Sequence, residues 1–148
     1  LTQYQNGADV GFNVAGSAGL GQIEAAVDAK RYAFGVDSDQ AAVLPDYAAN
    51  IPTSALKNVG NSLVRAIKED MEGNLAYGTL EYLGLADGGV ELVEDEHYEE
   101  TVPEDIRTKV EELKQDIIDG KITVPTTLGD DAMSPDDVQA LIDSAKLS

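Results

Sequence analysis

The 148-residue chain has no cysteine, no tryptophan, a single histidine, and 10 basic residues against 28 acidic ones. Without cysteine there is no disulfide, no thiolate nucleophile and no cysteine metal site, and the compartment stays open on that ground. The net charge, 10 − 28 = −18, sets up a field that repels phosphate, which excludes nucleic acid and anionic membrane surfaces as partners. No apolar run approaches the roughly 18–20 residues that a membrane span requires. Leu1 is not followed by a charged and then apolar leader, so any signal peptide is expected to lie outside these residues. Hydrophobic residues make up 43% and are spread along the chain, which is one domain's worth of sequence with enough apolar matter for a core.

Read along its length, the chain alternates extended and helical patterns. Leu1–Asn6 reads as the end of a helix stopped by Gly7, and Asp9–Ala15 as a buried strand. Gly16–Gly21 is a small-residue turn that opens a helix with Ile23, Ala26 and Val27 on one face. Tyr32–Val36 is a second strand ending in the polar cluster Asp37-Ser38-Asp39-Gln40, Ala41–Pro52 a loop, and Thr53–Lys57 a third extended run. A helix over about 58–72 carries Leu63, Ala66 and Ile67 as its expected inner stripe and is stopped by Gly73. Thr79–Leu83 and Gly89–Val93 read as a hairpin around Ala86–Gly89. Pro103 opens the cleanest helix, with Ile106, Val110, Leu113 and Ile117 at helical spacing, and Gly120 ends it. Ile122–Val124 is short and extended, and Ser134 caps a terminal helix that has Pro135 at its first position. The alternation predicts an α/β fold: a mostly parallel sheet flanked by helices.

Four constellations could carry function. Val14–Gly21 lies between a strand and a helix, where small residues admit a ligand to the backbone. Its glycines do not fit the dinucleotide spacing, and no Gly-Lys-Ser/Thr is present, so tight-turn packing and a ligand loop both remain open. Asp37 and Asp39 follow an apolar strand. Each is either a cap or a carboxylate facing vicinal hydroxyls or a metal. Lys57 ends the third extended run, ordinarily the fate of an exposed lysine. In a parallel sheet, however, Ala15, Gly16 and Ser17, Asp37, and Lys57 sit at three successive strand ends that line one crevice. Glu91–Asp105 holds eight acids, no base and the lone His97. It is expected to be a solvated acidic loop and not a metal site, since one histidine without cysteines makes a poor transition-metal site. No Gly-x-Ser-x-Gly elbow is present, so nucleophilic catalysis is not expected. Phe12, Tyr32 and Phe34 are expected in the core, Phe12 close enough to a strand end to meet a ligand ring.

In order, Gly7–Val10, Val14–Gly21, Gly35-Val-Asp-Ser-Asp-Gln40, Thr53–Lys57 and Gly84–Leu92 resemble the basic membrane protein family of bacterial ABC-transporter substrate-binding lipoproteins. The resemblance covers Leu1–Thr127, and Gly35–Gln40 is its most specific stretch. It implies a type I periplasmic-binding-protein-like fold, in which two α/β lobes enclose a nucleoside, most characteristically a purine nucleoside. By this resemblance residues 1–127 correspond to the C-terminal lobe with part of the inter-lobe crossover, and 128–148 to a tail with a terminal helix. The signal peptide, the lipid-bearing cysteine and the opening half of the first lobe are expected to lie outside the chain.

The same resemblance implies that Asp37 accepts hydrogen bonds from ribose hydroxyls, that Lys57 donates to the ribose, and that backbone at Ala15, Gly16 and Ser17 lines the same side. It implies no catalytic residue, no metal and no cofactor. The implied partners are a small-molecule ligand and ABC permease subunits, with membrane association only through a lipid anchor on the extracytoplasmic face. A different ligand such as riboflavin, or a regulatory relative, fits the same residues. A phospho-receiver domain also places Asp and Lys at strand ends, but the first strand lacks the early acidic doublet that Mg²⁺ would need.

Overall fold

The computed structural model describes residues 1–127 and 132–144, which fall into two compact units, Leu1–Glu111 and Glu112–Ser148. The first unit is built on a four-stranded sheet in the order β1 (Val10–Phe12), β2 (Tyr32–Asp37), β3 (Ser54–Lys57), β4 (Val90–Leu92). The first three strands are parallel, with Phe12 opposite Phe34 and Asp37 opposite Leu56. β4 runs antiparallel on the β3 edge, with Lys57 opposite Val90. The expected α/β class with a mostly parallel sheet is thus what forms. The helix connecting β1 to β2 supplies the crossover that parallel neighbours need.

One face of the sheet is covered by α1 (Thr2–Gln5), α2 (Leu20–Ala29), α3 (Gln40–Val43) and a 3-10 segment over Pro45–Asn50. Tyr4, Ile23, Ala26, Ala33 and Ile51 form the buried cluster there, edged by Leu44 and Tyr47. Burial of a side chain such as Ile23 contributes about 1.5–3 kcal/mol. Tyr4 adds a hydrogen bond from its hydroxyl to the carbonyl of Tyr32 (2.9 Å), and burial raises the phenol's pKa above its ordinary value. The other face carries Phe12, Phe34, Ala55 and Leu92, roofed by Tyr98 of α5 (Glu96–Thr101) and Ile106 and Val110 of α6 (Glu104–Ile118).

Several expectations are corrected. β1 is three residues long and not seven. Ala41–Pro52, expected as a loop, is mostly helical because Pro45 starts a 3-10 turn that drives Ile51 fully into the core. Thr79–Leu83 forms no strand: the free edge of β3 is taken by β4, and Gly84–Gly89 is a local turn in which the Gly89 N–H donates to the Gly84 carbonyl (2.9 Å). Glu91–Asp105 is not a loop. Asp95 caps α5 by accepting from the Tyr98 N–H (2.9 Å), and Tyr98 is buried while the acids occupy the wet side. His97 Nε2 lies 3.1 Å from the carbonyl oxygens of both Ala48 and Ile51, docking α5 on the core segment. α4 (Val59–Glu72) forms where expected, but its stripe does not face inward: Leu63 and Ile67 are each 61% exposed. α4 is held instead by its polar flank, Asn61 donating to the Gly88 carbonyl (3.0 Å) and Arg65 pairing with Glu81 (2.6 Å). Phe12 and Tyr32 are also about half exposed, Phe12 standing on the edge strand β1 beside an apolar hollow and Tyr32 at the N-terminal end of β2.

In the second unit, Gly120 adopts φ +71° just past α6, as a helix stop requires. Lys121 folds back onto Asp116 (2.8 Å) and Asp119 (3.0 Å), which lowers the Asp119 pKa and raises that of Lys121. Residues 122–124 join no sheet. α7 (Pro135–Ser144) begins as expected: the Asp137 N–H donates to Ser134 Oγ (3.2 Å), and the Ser134 hydroxyl donates to the Asp137 carboxylate (2.7 Å). Expectations for 128–131 and 145–148 lie outside the described residues. Among the described residues no helix is long and apolar enough to cross a membrane.

Candidate functional site

The C-terminal ends of β1, β2 and β3 lie side by side because the three strands are parallel and adjacent. The β1–β2 ladder ends at Phe12–Phe34, with the Gly16–Gly19 turn following β1 at the same end of the sheet, and Lys57 is one residue past Asp37's own partner Leu56. The structure therefore brings the loop, the acid and the lysine to one edge of the sheet.

At that edge Lys57 Nζ stands 2.9 Å from Asp37 Oδ1, with the two side chains 61% and 51% exposed. An ion pair so wet contributes at most about 1 kcal/mol to stability. Its charges are available to a ligand at little cost, each holding the other in place over the strand ends. Asp37 has φ +68°, rare for a residue other than glycine, and the Ser38 N–H donates to the Val36 carbonyl (2.9 Å) around it. This three-residue γ-turn is a strained conformation. Beyond it, Asp39 Oδ1 accepts from the Ala42 N–H (3.2 Å) and caps α3, so this carboxylate is spent on the backbone.

Ala15, Gly16 and Ser17 are exposed at the start of a 3-10 turn, Gly16–Gly19, that leads into α2. Gly16 has φ +55°, which explains the residue type. Beneath the loop Asn13 is only 8% exposed and packs against Gly19, where a Cβ would meet Asn13 Oδ1 at 2.0 Å. The first N–H groups of such a turn are those a helix cannot satisfy itself, suited to ligand oxygens. Phe12 is not brought to the ion pair. Its ring meets that of Phe34 edge to face (centroids 6.4 Å apart) and lines an apolar hollow of about 300 Å³ between the sheet and α5–α6.

Two residues at the site escape a reading of the sequence. Gln40 Oε1 accepts from the Val36 N–H (3.3 Å), and the Gln40 N–H donates to Ser54 Oγ (3.0 Å), a hydroxyl buried at the start of β3. Gly35 permits this contact, since a Cβ there would stand 2.1 Å from Ser54 Oγ. In the sequence Gln40 showed only as the last member of the polar cluster and of the Gly35–Gln40 stretch, and Ser54 only as part of Thr53–Lys57, with nothing to indicate their contact.

The chain as a whole is similar to known proteins. Basic membrane protein D of Borreliella burgdorferi is 36% identical over 125 residues, covering 82% of this chain and 36% of that protein. The CD4+ T-cell-stimulating antigen of Listeria monocytogenes is 32% identical over 138 residues, covering 84% of this chain and 38% of that one. This chain thus spans little more than a third of the curated relatives it matches. Among solved structures, an ABC transporter solute-binding protein from Aeropyrum pernix K1 superposes with a TM-score of 0.75 at 25% identity, over 97% of this chain and 46% of that one. A transcriptional activator of the comK gene from Bacillus halodurans gives 0.67 at 26%, over 79% and 39%. Residues 1–127 match the family described as ABC transporter substrate-binding protein, PnrA-like, and the chain belongs to that family.

Proposed function

We propose that this chain supplies one wall of a solute-binding cleft, in a non-catalytic receptor that serves an ABC importer on the extracytoplasmic face of a membrane, and that its ligand is a nucleoside, with a purine as the base. The observation that carries this reading is the Asp37–Lys57 pair at 2.9 Å over the C-terminal ends of parallel strands. A carboxylate accepts from both hydroxyls of a cis-diol while the ammonium donates to an oxygen of the same ring. The backbone of Ala15, Gly16 and Ser17 lies along the same edge and can close on the sugar. Permease subunits and a lipid anchor are part of the proposal through the family, not through any contact in this chain.

Charge-assisted hydrogen bonds contribute about 1.5–3 kcal/mol each. Those from the Asp37 carboxylate and the Lys57 ammonium, offset by the loss of ligand freedom and without a second wall to exclude water, give binding on the order of millimolar for these 148 residues alone. The test is an NMR titration of the labelled chain with adenosine, guanosine, inosine, riboflavin and 2′,3′-dideoxy analogues. Ribonucleosides should shift the amides of Ala15–Ser17, Ser38 and Lys57. The dideoxy analogues should not, and Asp37→Ala and Lys57→Ala should remove the response. Shifts elsewhere, or shifts indifferent to the hydroxyls, would overturn the assignment, as would submicromolar binding by this single wall.

A second reading is favoured by the likeness to the comK activator: the same cleft could serve a regulator that senses its ligand instead of delivering it. Both readings require the same two residues, and growth on the ligand as sole source, in cells with and without the permease genes, separates them.

A further inference from the structure

We infer that Gln40, held by Ser54, is a positioning residue that keeps the Asp37 carboxylate presented to the ligand; this rests on the diol-binding reading above. Asp37 sits at φ +68° in a turn closed by the Ser38 N–H to the Val36 carbonyl. A strained turn at an exposed strand end persists only if the surroundings over-determine it. Those surroundings are two further bonds. The Val36 N–H, one residue before Asp37, donates to Gln40 Oε1, and the Gln40 N–H, three residues after, donates to Ser54 Oγ. The chain thus leaves β2, reverses at Asp37, and is fastened on both sides of the reversal to a single side chain and to the neighbouring strand.

Ser54 is fully buried and pairs in register with Gly35, whose missing side chain leaves the space that Ser54 fills. The anchor is therefore part of the sheet and not of the exposed loop. Remove the Gln40 acceptor, and the turn can relax to an ordinary backbone conformation that carries the carboxylate away from Lys57. Gln40 touches no ligand in this scheme; it acts through Asp37.

The test uses the whole chain with Gln40→Met, which keeps size and removes the acceptor, Gln40→Glu, which keeps the acceptor, and Ser54→Ala. In the absence of ligand, the cross-relaxation between the Lys57 ε-methylene and Asp37 β-protons should be present in the parent and in Gln40→Glu, and lost in Gln40→Met. With ribonucleoside, the initial slope of the amide shifts should fall about tenfold in Gln40→Met and Ser54→Ala, the equivalent of one lost hydrogen bond, and recover in Gln40→Glu. A folded Gln40→Met that keeps the Lys57–Asp37 proximity and the parent's titration slope would overturn the inference. So would failure of Gln40→Glu to rescue. Loss of the diol-binding reading itself would show differently, as a parent titration that Asp37→Ala leaves unchanged.

Discussion

Asp37 and Lys57 occupy strand positions of opposite pleat, yet their charged atoms lie 2.9 Å apart. Asp37 is opposite Leu56, so strict alternation would send it and Lys57 to different faces of the sheet. The γ-turn at Asp37, with φ +68°, breaks the alternation and turns the carboxylate over the strand end, where a long lysine side chain reaches it. Stability and binding should therefore separate at this position. Asp37→Gly should unfold at about the same denaturant concentration as the parent, the freer backbone offsetting the lost exposed pair, while Asp37→Val should cost about 1–2 kcal/mol. Both should lose the hydroxyl-dependent titration. Denaturant melts and the NMR titration together check this.

Gly35→Ala places a methyl group 2.1 Å from the buried Ser54 hydroxyl. Overpacking of this kind costs about 1–3 kcal/mol. The double variant Gly35→Ala with Ser54→Gly should recover much of that, because the crowded atom is gone, without recovering the Gln40 contact. A chemical-denaturation series on the four proteins would show the coupling.

His97 anchors α5 on the core segment. Its Nε2 lies 3.1 Å from the carbonyl oxygens of Ala48 and Ile51. Replacing it by Phe leaves two carbonyls without this partner, at a cost of about 1–3 kcal/mol. Amide exchange should accelerate first at Tyr98 and Ile51, and added Zn²⁺ should change nothing in either protein.

The start of α7 should respond to acid. The Ser134 hydroxyl and N–H both donate to the Asp137 carboxylate and hold its pKa below the ordinary value. A carboxyl depressed in the folded state contributes stability that is present above its unfolded value, about 3.9, and lost as pH falls through the folded value. The cap should thus still be intact where a free aspartate protonates and open only as pH falls through the lower folded value. In Ser134→Ala the carboxyl should titrate closer to the ordinary value. Carboxyl carbon shifts of Asp137 against pH report both.

How much of this was legible from residues alone varies with the range of the forces involved. α2, α4, α6 and α7 could be read because helix starts and stops are local: Gly73 and Gly120 each take a positive φ just where the periodicity ends. The meeting of Asp37 and Lys57 was legible too, since parallel pairing of β2 with β3 places the ends of those two strands side by side. That Thr79–Leu83 stays out of the sheet was not, because alternation states only that a segment can pair; which segment takes the β3 edge is a competition, and β4 holds it. Nor was the acidic run, where Tyr98 and His97 turn a charged stretch into a docked helix.

Local patterning was enough for the α/β class, the boundaries of α2, α4, α6 and α7, the surplus of negative charge and the presence of an acid and a lysine at neighbouring strand ends. Those follow from periodicity, capping and composition, which act over a few residues. Packing of the strands was needed to show that Asp37 leaves its pleat to meet Lys57, that Gln40 and Ser54 bond on either side of that turn, and that Leu63 and Ile67 stay exposed. Each of these depends on contacts between residues distant in sequence or on a backbone conformation that no side-chain pattern encodes, and is fixed only when the strands are packed.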